Sequence, residues 1–212
     1  MWRSTIVLGL VVASGVTALT ACSGGRSSAP TTIASSRPEA SAPVTEATTT
    51  PPSGDAQLDA LRSRPVELPS LAGGAPCPVT TDVATPSADL GPMLGLGPAR
   101  PVGLGQLAQL GIAPPENYGS HVWGGNKVLW ALSTEVHGPA LIRGHQLDGD
   151  GEVRFDEGDV PSLEKVLDPS GKAPLAGGWY DFPGATRVRQ PGCYGYQIDT
   201  EAGTTFVVFE AI

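Results

Sequence analysis

The sequence predicts an all-β domain, an antiparallel β-sandwich, in residues 65–212. Three observations favour this fold class. Short apolar or alternating segments follow one another at strand length. Glycine and proline fill the gaps between them, and few stretches show the 3.6-residue periodicity of an amphipathic helix. Many short strands without intervening helices are typical of a sandwich.

Six segments carry the strand pattern: KVLWAL (127–132), PALIRGHQL (139–147), EVRF (152–155), ATRVRQ (185–190), CYGYQID (193–199) and TTFVVFEAI (204–212). The last is β-branched and aromatic on both faces, as in a central strand. TEAG (200–203) predicts a hairpin loop whose glycine is free to adopt a positive φ. Residues 86–120, rich in glycine, proline and leucine, are either partly strand or a flexible insert near a binding surface. Within them LGQLAQLGI (104–112) is compatible with one or two helical turns.

The N-terminus has the pattern of an export signal. Arg3 precedes an uncharged apolar run, residues 5–19, which suits the hydrophobic region of a signal peptide and is shorter than the ~20 residues of a membrane-spanning helix. The run ends in Leu19-Thr20-Ala21-Cys22, which resembles the lipobox of bacterial lipoproteins. That resemblance implies a signal peptide over residues 1–21, lipidation of Cys22, and a position on the outer face of the bacterial cytoplasmic membrane.

Residues 22–64 have the composition of a linker. They are rich in serine, threonine, proline and alanine and carry few large apolar side chains, so they predict disorder. The whole chain has 13 basic and 21 acidic side chains, a formal net charge of −8. No basic patch with interleaved aromatic residues occurs, which argues against nucleic acid as a partner. Anionic headgroups would repel this domain, so we expect the membrane link to be the lipid.

Two further cysteines, Cys77 and Cys193, remain once Cys22 is assigned to lipid. An even pair in an exported chain predicts a disulfide. Neither cysteine has another cysteine or a histidine at the spacing of a metal site. We therefore expect a Cys77–Cys193 disulfide and no cofactor.

The acidic stretch QLDGDGEVRFDEGD (146–159) has two interpretations. Asp148, Asp150 and Glu152 have the spacing that begins an EF-hand loop, but Val153 stands where that loop requires glycine. Asp-Gly dipeptides before the alternating EVRF instead favour a tight turn between two strands. We expect a hairpin, with the three carboxylates at most a weak calcium site.

Two other groups of residues are candidates for a function. His145 and the acidic run 148–168 contain the residue types that a surface hydrolase of cell-wall material would use, but no nucleophile motif accompanies them. Trp123, Trp179 and Tyr180 lie in glycine-flanked segments that predict loops. Loop aromatics suggest a surface for a protein or glycan partner; the alternative is that they cap the ends of the sandwich.

Motifs along residues 75–212 resemble a group of uncharacterised extracytoplasmic β-sandwich proteins and lipoproteins of bacilli and actinobacteria. The matching motifs are Cys77-Pro78, the segment 97–102, Leu129-Trp130, the hairpin 143–149, and Pro191-Gly192-Cys193-Tyr194 before the last strand. Arg100 stands where the group has an aromatic residue, and Tyr194 replaces its common tryptophan. The resemblance implies an immunoglobulin-like sandwich and no known activity.

These observations predict a lipid-anchored extracytoplasmic protein with a non-catalytic binding or structural role at the cell envelope. The prediction depends on the lipobox and on the lack of a recognisable nucleophile–base or metal-ligand set in the sequence. The alternatives are a surface hydrolase and a weak calcium-binding module. The ligand or partner, an envelope protein or a glycan, is left open.

Overall fold

Strands dominate the computed structural model, which describes residues 54–105 and 107–212. Helix α1 spans Gly54–Arg62, and a short 3-10 helix spans Pro115–Tyr118. The strands are β1 (Val83–Ala84), β2 (Met93–Leu94), β3 (Ala99–Val102), β4 (Gln109–Leu110), β5 (Gly124–Lys127), β6 (Leu129–Ser133), β7 (Ala140–Gln146), β8 (Arg154–Phe155), β9 (Lys165–Leu167), β10 (Trp179–Phe182), β11 (Ala185–Val188), β12 (Gly192–Thr200) and β13 (Gly203–Ala211).

Three hydrogen-bonded sheets form the two layers of the sandwich. One layer, which we call sheet I, contains β1-β2-β3-β6-β10 and β5-β11-β8, and the other, sheet II, has the order β4-β13-β12-β7-β9. The two parts of sheet I share one register, because Phe182 pairs with Trp130 and Ala185 with Lys127. Between them Val128 still donates its N–H to the carbonyl of Gly184 at 3.0 Å. Pro183, which has no N–H, accounts for the interruption.

The predicted all-β sandwich is confirmed. Each of the six predicted segments contains a strand, and the TEAG hairpin forms with Gly203 at a φ of 135°. Strand β4 pairs in parallel with β13, so the sandwich is not purely antiparallel. In the segment 104–112, whose sequence is compatible with a helical turn, Gln109–Leu110 is a strand. Residues 86–120 are thus partly strand, as one of the two interpretations held.

Aromatic side chains from both sheets fill the interior. The Trp130 ring of sheet I meets the Tyr196 ring of sheet II edge to face, with centroids 5.0 Å apart. Tyr196 also stacks on Phe209 at 4.5 Å, and its hydroxyl shares a 2.6 Å hydrogen bond with Thr186. These large buried rings pack between the sheets together with the aliphatic side chains of the core.

The ordered domain begins before residue 65. The sequence predicts a disordered linker to residue 64, but Gly54–Arg62 forms α1, and Leu61 is buried. Asp55 in the first turn and Arg62 in the last turn complement the helix dipole. Arg143 of β7 donates to the carbonyls of Leu61 and Arg62 at the helix end, at 3.5 and 3.4 Å. The predicted signal peptide, Cys22 and residues 22–53 lie outside the described residues.

After α1, residues 63–80 form a strap across the outer face of sheet II. Leu68 packs with Leu147 and Cys193, and a Cβ on Gly195 would lie 2.8 Å from its side chain. Only glycine therefore lets the strap approach β12 so closely.

No helix in the described part of the chain has the length and apolar character needed to cross a membrane.

Candidate functional site

The predicted disulfide is present. Cys77 of the strap bonds to Cys193 of β12, with Cα atoms 5.4 Å apart and a sequence separation of 116. Backbone hydrogen bonds support this junction: Leu71 donates to Leu147 at 2.6 Å, and Thr80 donates to Val208 at 2.9 Å. The strap is thus fastened covalently and by hydrogen bonds to sheet II.

A buried carboxylate holds the strap at its other end. Asp199 is 0% exposed and accepts hydrogen bonds from Arg143 at 2.7 Å, Thr204 at 2.6 Å and Gln197 at 3.0 Å. Arg64 of the strap lies 3.8 Å from the same carboxylate. A buried charge is tolerated only when it is paired and hydrogen-bonded in this way. We call this set the Asp199 network.

The three candidate calcium ligands do not converge. Asp148 accepts hydrogen bonds from Gln146 at 2.9 Å and from the N–H of Cys193 at 3.0 Å. Glu152 pairs with Arg154 at 2.8 Å. Within residues 54–105 and 107–212, no three acidic, histidine or cysteine side chains are grouped so as to hold a metal ion.

The hairpin around Asp148 forms, but its connection is not a tight Asp-Gly turn. The N–H of Gln146 donates to the carbonyl of Gly151 at 2.7 Å, so residues 147–150 make the loop. Neither Gly149 nor Gly151 has the positive φ that a two-residue turn of this kind requires. Instead, the side-chain oxygen of Gln146 accepts a hydrogen bond from the Gly151 N–H at 3.1 Å and stabilises the loop.

The burial of the three candidate aromatic residues favours the second interpretation, in which they cap the sandwich, over an exposed partner surface. Trp123 is 4% exposed and Trp179 is 8% exposed, while Tyr180 is half-buried against the core. Trp179 and Tyr180 belong to strand β10 rather than to a loop. Guanidinium groups cover both indoles: Arg189 and Arg154 lie over Trp123 at 4.1 and 5.5 Å, and Arg100 lies over Trp179 at 5.4 Å.

The residues suggested for a hydrolase are also held by structural contacts. The Nδ1 atom of His145 lies 2.7 Å from the Gln146 carbonyl. A cleft of about 410 Å³ contains two carboxylates of the acidic run, Asp156 and Glu157, but its other charged residues are Lys127 and Lys165. Lys165 binds both oxygens of Asp156, at 2.8 and 3.0 Å. This arrangement pairs an acid with a cation and offers no nucleophile.

Arg187 of β11 is an unexpected buried cation. It is 0% exposed, and its guanidinium donates to the carbonyls of Gly124 at 3.2 Å, Asp156 at 3.0 Å, Tyr118 at 3.5 Å and Trp123. Burial lowers the pKa of Arg187. Four carbonyl oxygens replace its hydration, so this arginine is a structural element of the sandwich end.

Arg100 of β3 is placed differently. Its Nε atom donates to the carbonyl of Gly97 at 2.6 Å, and its guanidinium stacks on Trp179. Burial lowers the pKa of Arg100 as well. Within the described residues it forms no ion pair. It lines a cleft of about 490 Å³ together with Gly97, Pro98, Ser133, Glu135, Val136, Trp179 and Ala202. We call this the Arg100 cleft.

Sequence reasoning singled out neither Asp199, Arg187 nor Arg100 as a site residue. The one signal for Arg100 is that the resemblance inferred from the sequence motifs implies an aromatic residue at this position. Asp199 and Arg187 alternate along strands like ordinary solvent-facing residues, and only the packed structure shows them covered. No protein-family model matches this chain, and no curated protein or solved structure matches it either.

Proposed function

We propose that this chain is an exported lipoprotein, anchored through Cys22, whose sandwich has a non-catalytic binding or structural role at the cell envelope. The observation that carries the proposal is the Cys77–Cys193 disulfide. Disulfides persist in oxidising compartments outside the cytosol. This agrees with the export signal and lipobox-like segment at the N-terminus.

The strap supports a tethered role. The tether that leads from Cys22 would enter the domain through α1 and the strap. The disulfide and the Asp199 network both fasten this segment to sheet II. A force on the tether would therefore be transmitted to sheet II through the disulfide and the Asp199 network.

The alternative of a surface hydrolase gains no support from the described contacts. Asp148, Glu152 and Asp156 each bond to a neighbouring group that the fold itself supplies. A calcium module is not favoured for the same reason. The open Arg100 cleft supports a binding role better than the contacts of the acidic residues support a hydrolase or a calcium module.

Metabolic labelling with palmitate tests the anchor. We expect the wild-type chain to incorporate label and the Cys22→Ala variant to lose it, because Cys22 is the proposed acceptor. The double variant Cys77→Ser/Cys193→Ser is the matched control, since it removes the other two cysteines and should still be labelled. Equal labelling of wild type and Cys22→Ala, or no labelling of the wild type, would overturn the proposal.

A further inference from the structure

The Arg100 guanidinium is half-buried at a cleft and has few polar partners among the described residues. Four other arginines of the described chain pair with carboxylates, namely Arg62, Arg64, Arg143 and Arg154. Arg187 is buried but receives four carbonyl oxygens. Arg100 is half-buried and has, among residues 54–105 and 107–212, a single polar partner, the Gly97 carbonyl. Partly desolvating a charge without a partner costs free energy, so a ligand that supplies the partner would recover it.

The contacts of Arg100 fix which edge of its guanidinium is available. Because Nε is bonded to Gly97, the end that carries the two Nη atoms is left for another group. Arg100 pairs with Ala131 and Trp179 pairs with Ser133, so both residues flank β6 on the outer face of sheet I. Stacking on Trp179 holds the guanidinium plane in place. A fixed Nη1–Nη2 fork matches the two oxygens of a carboxylate.

The remaining walls of the cleft limit the ligand. Glu135 lies exposed at the rim, and the whole protein has a formal net charge of −8. Both disfavour dianions such as phosphate relative to a single carboxylate. Glu135 would instead accept a hydroxyl or amide N–H next to that carboxylate. A volume of about 490 Å³ is within the range of small-ligand sites.

We propose that the Arg100 cleft binds the carboxylate of a small ligand that carries a hydroxyl or amide donor beside it. Carboxylated amino sugars and the acylated amino acids that end a peptide both have this chemistry. The inference deepens the proposed binding role and rests on it, but it does not depend on the lipid anchor.

Isothermal titration of the full chain in neutral detergent tests this inference with four probes. N-acetylmuramate and N-acetyl-D-alanine carry the carboxylate on a sugar and on an amino acid, N-acetylglucosamine is the neutral control, and inorganic phosphate is the dianion. We expect at least one carboxylate to bind, N-acetylglucosamine not to bind, and phosphate to bind more weakly than the carboxylate. Which of the two carboxylates binds identifies the source of the group.

Three variants locate the site. Arg100→Gln should weaken carboxylate binding by about tenfold or more, because it removes a charged hydrogen-bonding partner. Arg100→Lys should bind with intermediate affinity, because it keeps the charge and loses the fork. Arg189→Gln is the matched control: Arg189 also stacks on a tryptophan but is exposed, so this variant should bind like wild type. Circular dichroism checks that each variant is folded.

Four results would overturn the inference: neither carboxylate binds, phosphate binds more tightly, Arg100→Gln binds like wild type, or Arg189→Gln weakens binding as much as Arg100→Gln. Failed titrations with intact palmitate labelling at Cys22 would overturn the proposed carboxylate site and leave the proposed lipid anchor. Failed labelling with intact titrations would overturn the proposed lipid anchor and leave the proposed carboxylate site.

Discussion

The outer faces of the two sheets carry their charges in opposite ways. On sheet II the Asp199 carboxylate is fully buried, and protein donors bond it on several sides. On sheet I the Arg100 guanidinium is half-buried, with one acceptor in the part of the chain that the structure describes. A buried charge needs partners from the fold, whereas a charge with unused donors is available to a ligand. The comparison therefore supports a structural role for the strap face and the proposed binding role for the Arg100 cleft.

The largest expected effect on stability follows from removing the disulfide that joins the strap to Cys193. The double variant Cys77→Ser/Cys193→Ser should lower the free energy of unfolding by about 4–5 kcal/mol, because the cross-link closes a loop of over a hundred residues. Urea denaturation followed by tryptophan fluorescence measures this. If the double variant is as stable as wild type, the strap is not a stabilising element and the comparison fails.

A smaller loss is expected at the other end of the strap. Asp199→Asn should lower the free energy of unfolding by about 2–3 kcal/mol, since Arg143 and Arg64 lose their charged partner but are near enough to water to be partly rehydrated. Glu152→Gln is the matched control, because it removes the exposed partner of Arg154 and should change stability by less than about 1 kcal/mol. Equal effects of the two variants would contradict the special position of Asp199.

Alkaline pH tests the interior beneath the strap face. Burial, with a smaller contribution from Asp148, raises the pKa of Tyr194 to about 12. Burial also raises the pKa of Tyr196. Unfolded tyrosine ionises near pH 10, so the unfolded state loses protons first and stability should fall between about pH 10 and 12.

Below pH 10 these two tyrosines stay protonated in both states, and the contribution is constant. Unfolding free energies measured from pH 8 to 12 should show the fall in wild type and a reduced fall in Tyr194→Phe/Tyr196→Phe. Tyr180→Phe, which changes a half-buried tyrosine, is the control and should keep the fall. A flat profile in wild type would show that the two phenols are accessible to water.

Calcium is expected to have no effect on the melting temperature, which is the smallest effect in this series. Asp148 is bonded to Gln146 and Cys193, and Glu152 to Arg154, so an added ion would have to displace these contacts. The melting temperature should be the same with EDTA and with added calcium. A rise on adding calcium that is lost in Asp150→Asn would restore the acidic loop as an ion site and weaken the contrast between the two faces.

The sequence predicts the features of this fold that depend on local patterns. Alternation locates strands such as β12, the run of β-branched and aromatic residues locates β13, and cysteine counting locates the disulfide. Strand β10 is missed because glycines before Trp179 and Pro183 after Phe182 resemble the borders of a loop. The predicted linker boundary is wrong because burial of Leu61 against the sheet is a tertiary effect.

The candidate site is less predictable than the fold. The alternation of CYGYQID places Asp199 on the polar face of β12, but a strap over a hundred residues away in sequence covers that face. The Arg100 cleft joins residues from β3, β6 and β10 that only strand pairing brings together. Such sites depend on register between distant segments, which a single sequence does not specify.

One measurement tests the contrast between the two faces most directly. The affinity for the carboxylate probe that binds wild type is measured for Asp199→Asn and for Arg100→Gln, at a temperature where both variants are folded. We predict that Asp199→Asn binds like wild type despite its lower stability, and that Arg100→Gln binds about tenfold more weakly or worse. Weaker binding by Asp199→Asn together with normal binding by Arg100→Gln would contradict the assignment of structure to one face and recognition to the other.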